Sequence, residues 1–248
     1  SGSDGHGFEL ARGLGHTTTP RILPGLVPLV LAERCFVTSL AGVTLETTIS
    51  LHSGTGKTLK SFQGSTLCTH FGISGPPVLD ISRYWLHARL DDPEAHLCVD
   101  WIPALGGRPF ADALAEKKGV SVGTALRAWL PERLADALCG EAGVDRGSSL
   151  ERLGRETRQR LAKTVRAYRL PVTGDRGFTY AEVTAGGVPL AELHMDTLES
   201  RVCPGLHLCG EICDVDGRIG GFNFQWAWAS GFVAGTAAAA GLVRGELP

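Results

Sequence analysis

Residues 205–235 constrain this chain more than any other stretch. They read Gly-Leu-His-Leu-Cys-Gly-Glu-Ile-Cys-Asp-Val-Asp-Gly-Arg-Ile-Gly-Gly-Phe-Asn-Phe-Gln-Trp-Ala-Trp-Ala-Ser-Gly-Phe-Val-Ala-Gly. The apolar run 206–209 predicts a short buried strand. Glu211 places a carboxylate at its end, a glycine-rich turn follows, and a long uncharged helix starts near Gly221. In an open α/β sheet a ligand lies beyond the carboxyl ends of the strands. A helix start offers unpaired N–H donors to a negatively polarised atom. Gly220 and Gly221 remove side chains from that approach. Ala227, Gly231 and Gly235 then recur at four-residue spacing and share one face. Small residues there predict tight packing against a sheet or a second helix.

This stretch resembles the C-terminal flavin motif of bacterial NAD(P)/FAD-dependent oxidoreductases of the BaiN/YhiN-like type. Three more segments match in the same order: 69–76 (Thr-His-Phe-Gly-Ile-Ser-Gly-Pro), 181–188 (Ala-Glu-Val-Thr-Ala-Gly-Gly-Val), and the opening 2–8 with 14–16. The resemblance spans nearly the whole chain. It implies an α/β and α+β fold. A partial glutathione-reductase-type FAD-binding domain (1–17 and 184–248) would carry an inserted β-barrel-like domain with a helical arm (18–183). It also implies that Glu211 accepts bonds from the flavin's ribityl hydroxyls. The N–H groups of Gly221, Phe222 and Asn223 would face the pyrimidine end of the ring. Gly186, Gly187, Gly210, Asp216 and Gly220 would belong to the same site, and Asn223→Asp is expected to keep the shape of the turn. FAD is then the cofactor, NAD(P)H the reductant and a small organic molecule the substrate.

The family's first βαβ unit carries a Gly-x-Gly-x-x-Gly turn and an acidic residue for the ribose. Neither is legible here. Gly5-His-Gly7 has Leu10 where the third glycine belongs, Gly13-Leu-Gly15 has Thr18, and no strand precedes either. The chain therefore reads as the C-terminal part of a longer protein, with the missing N-terminal FAD-binding segment as its partner. The competing reading is a non-catalytic remnant that serves as a binding or scaffold module. No His, Tyr or Cys is marked by pattern as the catalytic acid; His70 reads as a turn residue.

A net charge of −2 argues against nucleic acid or an anionic membrane as partner. Arg152, Arg155, Arg158, Arg160 and Lys163 make a basic run, but Glu151 and Glu156 dilute it, so it reads as a solvated face. Seven cysteines without a Cys-x-x-Cys pair argue against a zinc ribbon or dithiol centre. They predict free thiols in a reducing cytoplasm and no metal. Residues 220–243 lack charge over a length that spans a bilayer. The run is rich in Gly and Ala and broken by Asn223, Gln225 and Thr236, so no membrane span is expected. Ser53-Gly-Thr-Gly-Lys-Thr58 imitates a phosphate loop. Leu51 stands where that motif needs Gly, and strand rather than helix pattern follows, so a hairpin turn is expected.

Periodicity places helices at 4–14 (with Asp4 as N-cap), 77–87, 111–118, 124–139 and 149–167, and strands at 43–51, 95–102, 170–173 and 178–184.

Overall fold

A computed structural model describes residues 3–117 and 119–244. Gly2 of the opening motif and Lys118 of the expected 111–118 helix lie outside the described residues. In chain order the elements are α1 (His6–Gly13), β1 (Leu23–Gly25), β2 (Leu29–Leu31), β3 (Thr44–His52), β4 (Thr58–Cys68), β5 (Gly72–Ser74), α2 (Pro76–Asp91), β6 (His96–Asp100) and α3 (Phe110–Ala115). They continue with α4 (Val122–Leu126), α5 (Glu132–Glu141), α6 (Arg155–Arg166), β7 (Tyr168–Arg169), β8 (Val172–Asp175), β9 (Val183–Ala185), β10 (Leu193–His194), β11 (Glu199–Ser200) and α7 (Phe222–Arg244). Two compact units result: Pro28–Arg176, and Ser1–Val27 together with Gly177–Pro248.

The Pro28–Arg176 unit is built on a seven-stranded antiparallel sheet in the order β7-β6-β3-β4-β5-β2-β8. Thr47, Ile49 and Leu51 of β3 are buried while their neighbours are not, as alternation predicts for a half-buried strand. The turn after β3 closes through Ser53 N–H to Lys57 O at 2.9 Å and leads straight into β4. It is the hairpin, not a phosphate loop. The two outermost strands, β7 and β8, are separated only by Leu170 and Pro171. Two residues span little distance, so the sheet must curl until its edges meet. That makes it a barrel.

The helical arm follows β6. The expected 124–139 helix is two helices, because Pro131 has no N–H and its ring clashes with the preceding turn; α5 starts just after it. The expected 149–167 helix likewise breaks at Gly154 into a 3₁₀ turn, Leu150–Arg152, and α6. The apolar stripes survive both breaks. Leu126, Leu130, Leu134, Leu138, Leu161 and Val165 are buried in one core with Ile49, Leu97 and Trp101.

The other unit has a small core of Ala11, Val188, Leu193, Leu198, Leu208, Cys213 and Ala234. Asp4 Oδ1 accepts the His6 N–H at 2.9 Å, although the cap position itself is Gly5. The unit's ladders are two short antiparallel pairs, β1 with β9 and β10 with β11. Residues 206–209 form no strand: His207 makes a single bridge to Glu199, and Val188 bridges Cys213 in parallel. Residues 178–184 begin as a 3₁₀ turn, Phe178–Tyr180, before β9. Apolarity predicted burial correctly for Leu208; the segment runs beside 198–200, with Ser200 N donating to Leu206 O at 2.7 Å and Leu208 N to Leu198 O at 3.0 Å, but the pairing stops at that one bridge.

α7 departs further from expectation. A side chain at Gly231 or Gly235 would meet nothing within 4 Å. Ala227 is exposed, and Phe224, Trp228 and Phe232 are 68%, 70% and 75% exposed. The buried side is instead Ser230 and Ala234. The tight packing of the small-residue stripe is therefore not seen among the described residues. Small side chains permit close approach; they do not say what approaches. By length and composition alone, Phe222–Val243 could also cross a membrane.

Candidate functional site

Gly210 fastens the turn to the long helix. Its carbonyl accepts from Trp226 Nε1 at 2.9 Å and its N–H donates to Ser230 Oγ at 3.0 Å. Ser230 in turn donates to Trp226 O at 2.6 Å, one turn back. Downstream, Asn223 fastens the other end: Oδ1 accepts from Gly217 N at 2.7 Å and Nδ2 donates to Gly217 O at 3.1 Å. Between them Gly220 (φ 117°) and Gly221 (φ 89°) both have left-handed backbone, which strongly favours glycine. The Arg218 guanidinium lies 5.0 Å from the Phe222 ring centroid.

The first intrahelical bond of α7 runs from Gln225 N to Gly221 O at 2.9 Å. The N–H groups of Phe222, Asn223 and Phe224 therefore have no partner within the helix. They begin at a cavity of about 660 Å³ lined by Glu211, Ile219, Gly220, Gly221, Asn223 and Phe224 on one side, and by Leu26, Glu182 and Val183 on the other. That volume lies within the usual range for small-molecule sites. Glu211 also lines a smaller cavity of about 120 Å³ with Ser3, Gly5, Gly7 and Phe8. The opening motif and the C-terminal motif thus meet at this carboxylate. Burial pushes the Glu211 carboxyl above the ordinary glutamate range, against the Thr184 N–H that donates to it.

Of the residues singled out from sequence, the structure brings Glu211, Gly220, Gly221 and Asn223 to one cavity. Gly210, Asp216 and Phe222 do not line it. Gly186 and Gly187 serve a chain crossing instead. A Cβ on Gly186 would lie 2.3 Å from Arg21 O, and one on Gly187 would lie 2.6 Å from the Cys213 carbonyl carbon. Gly187 N also donates to Thr19 Oγ1 at 2.9 Å. Among the lining residues that escaped the sequence reading are Glu182 and Leu26. Glu182 stands inside the 181–188 motif, whose glycines drew the attention. Leu26 is 2% exposed and holds φ +50°, a conformation that costs a non-glycine residue about 1 kcal/mol or more. Its carbonyl accepts from Glu182 N at 3.3 Å. No side-chain pattern announces that geometry.

Glu192, His16 and Ser200 are arranged in the order of a catalytic triad. His16 Nδ1 lies 2.6 Å from Glu192 Oε2, and its Nε2 lies 2.8 Å from Ser200 Oγ. The His16 side chain is fully buried and Ser200 is 3% exposed. Ser200 Oγ already accepts from Val202 N and Cys203 N at 3.0 and 2.7 Å. The cluster is a clamp tying 16–17 to 192 and 200, closed to substrate. No group of three or more His, Cys, Asp or Glu suited to a metal occurs among the described residues. All seven cysteines are free thiols. Burial pushes Cys68, Cys139 and Cys213 up to about 11, which leaves them as poor nucleophiles.

Fold and site together define the class: a protein of mixed α and β structure in which the sequence of a barrel with a helical arm interrupts the sequence of a second unit, and that second unit holds a cavity of about 660 Å³. Residues 23–183 match a family described as the HI0933-like protein barrel and H2TH domain, and the chain belongs to that family. It is 34% identical over 242 residues to the 3-dehydro-bile acid delta(4,6)-reductase of Clostridium scindens, covering 96% of this chain and 58% of that protein. It is 35% identical over 235 residues to the ribosomal RNA dihydrouridine synthase of Escherichia coli, covering 92% and 55%. The Haemophilus influenzae enzyme of the same description is 32% identical over 236 residues, covering 93% and 55%. These relatives are enzymes, and the chain spans little more than half the length of each.

Proposed function

We propose that this chain is the C-terminal part of an FAD-dependent reductase that saturates a carbon–carbon double bond conjugated to a carbonyl, with NAD(P)H as reductant. The carrying observation is the convergence of Glu211, the Gly220–Gly221 turn and the start of α7 on one cavity. The donor set fits a flavin. Glu211 would accept from the hydroxyls of the ribityl chain, and the N–H groups at the start of α7 would face the ring's acceptor edge. Helix-end donors favour the negative charge that a reduced flavin carries. The bound cofactor would supply the hydride. Leu26, Ile219 and Phe224 would orient the ring and keep water away from it.

The relatives' names support the substrate class. A delta(4,6) 3-dehydro steroid has its double bonds conjugated to the C3 ketone, and uridine has a C5=C6 bond conjugated to the C4 carbonyl. In both, a hydride goes to the carbon remote from the carbonyl and a proton to the nearer one. The bare face of α7 supports the reading of a longer protein. The glutathione-reductase-type arrangement would set the missing βαβ unit, with its adenine and pyrophosphate contacts, on that face. The free thiols suit a reducing cytoplasm, and a βαβ unit on that face would cover it without a membrane.

The test compares flavin bound per protein in the chain extended by its N-terminal segment, as wild type, Glu211→Ala and Gly221→Pro. Proline cannot adopt the positive φ at position 221. Both variants should lose at least tenfold in FAD affinity. Unchanged flavin content in both would reject the assignment.

A further inference from the structure

The cavity of about 660 Å³ carries charge of one sign only. Of the residues that line it, Glu182 and Glu211 alone have ionisable side chains, and both are carboxylates. They come from different segments: Glu211 from the turn that follows Cys209, and Glu182 from the residue just before β9. The guanidinium of Arg218 lies against the Phe222 ring and is not part of the lining. Glu211 already has a partner in the Thr184 N–H. Glu182 is exposed, and no cation pairs with it among the described residues.

The backbone at 182 is held more firmly than an exposed residue needs. Ala181 and Val183 on either side are each 4% exposed. Glu182 N donates to Leu26 O at 3.3 Å, and Leu26 holds φ 50° there. Beside it, Gly25 pairs with Val183 so closely that a Cβ on the glycine would lie 3.0 Å from Val183 Cγ2. A residue in a sparsely populated conformation persists where its surroundings over-determine it, and such residues gather at ligand sites. The result is a carboxylate presented to the cavity from a fixed backbone.

Water satisfies this carboxylate only while the cavity is open. A ligand that fills the cavity strips that water away, and a carboxylate so buried must be paired or hydrogen-bonded. A hydroxyl on the ligand meets that need. A carboxylate or phosphate on the ligand would set a further negative charge beside Glu182, with no cation in the lining to answer it.

We propose that Glu182 selects the substrate: it accepts a hydrogen bond from a hydroxyl on an uncharged ring compound and turns away carboxylates and phosphates. The inference rests on the proposed function in one respect, that a flavin held by Glu211 and the start of α7 leaves Glu182 to face the substrate.

The test uses the chain extended by its N-terminal segment and three small rings that do not react with thiols: benzyl alcohol, benzyl methyl ether and phenylacetate. Ligand-observed NMR titration gives their affinities. Benzyl alcohol should bind at least tenfold more tightly than its methyl ether, as a hydrogen bond to a charged acceptor provides, and phenylacetate should not bind. Glu182→Leu should bring the alcohol and the ether within about twofold of each other, matching the loss of that one bond. Glu182→Lys should admit phenylacetate and prefer it to the alcohol. The side chain is exposed, so both variants should keep the wild-type circular dichroism spectrum. Equal binding of alcohol and ether to wild type, no binding of any of the three, an advantage of the alcohol that survives in Glu182→Leu, or exclusion of phenylacetate by Glu182→Lys would each overturn the proposal. Flavin content of the same preparations separates the two readings. Full flavin with no preference among the rings counts against Glu182 alone, and absent flavin with the preference intact counts against the proposed function alone.

Discussion

Asn223 closes on Gly217 from both sides, taking its N–H at 2.7 Å and giving to its carbonyl at 3.1 Å. Six residues of glycine-rich turn are thereby locked by one side-chain amide. The expectation that Asn223→Asp keeps the shape of the turn fails on this geometry. A carboxylate can still accept from the Gly217 N–H, but it opposes the Gly217 carbonyl.

Asn223→Asp should therefore lower stability by about 1–3 kcal/mol, the range for a lost and reversed hydrogen bond. Chemical denaturation read by circular dichroism measures it. A loss below a few tenths of a kcal/mol would mean that the amide does not hold the turn.

Gly231 lies inside α7 with open space beside it. In the chain alone, Gly231→Ala should raise stability by about 0.5–1 kcal/mol through helix propensity, and Gly231→Leu should do no harm. In the extended protein of the proposed function, Gly231→Leu should instead cost about 1–3 kcal/mol by overpacking. Thermal melts of the four proteins decide. The same response in both lengths would show that nothing settles on that face.

The Glu211 carboxyl titrates above its ordinary range because it is buried. Above that ordinary range the unfolded chain has released this proton while the native chain still holds it. Stability therefore falls as pH rises through the interval up to the folded value. Glu211→Gln should melt higher than wild type near pH 7, with the difference closing as pH drops below the usual glutamate range. A variant less stable than wild type at neutral pH would show that the carboxylate is held by contacts rather than disfavoured by burial.

Ser200→Ala removes the partner of His16 Nε2 and the acceptor of two backbone N–H groups. The expected loss is about 1–3 kcal/mol, the cost of buried groups left unpaired. Wild type should not react with a serine-directed fluorophosphonate, since Ser200 is closed to solvent. Labelling at Ser200, found by peptide mass spectrometry, would contradict the structural role.

How much of this was legible in the sequence depends on what each residue needed. Glu211, Gly220, Gly221 and Asn223 lie within one short segment, so the local pattern of acid, glycine pair and helix start was enough to bring them beside one cavity. Leu26 and Glu182 reach the same cavity through the pairing of β1 with β9, more than 150 residues apart in sequence and visible in no local pattern. The stripe on α7 was read as a packed face, and among the described residues nothing packs on it, because small residues permit close approach without specifying what approaches. Pro131 and Gly154 split two expected helices because the apolar period runs on through residues that the backbone cannot. Likewise, 206–209 had the composition of a strand, but its pairing with 198–200 stops after a single bridge.

The barrel returns the chain to where it set out: Arg176 N donates to Pro28 O at 3.1 Å. Before it forms, pairing Gly25 with Val183 must close a loop of roughly 160 residues, an entropic toll of about 4 kcal/mol or more. Afterwards the two flanking segments emerge side by side, and most of that toll has already been met within the barrel's own folding. A folded barrel therefore lowers the entropic cost of completing the unit it interrupts, because it brings that unit's two halves together.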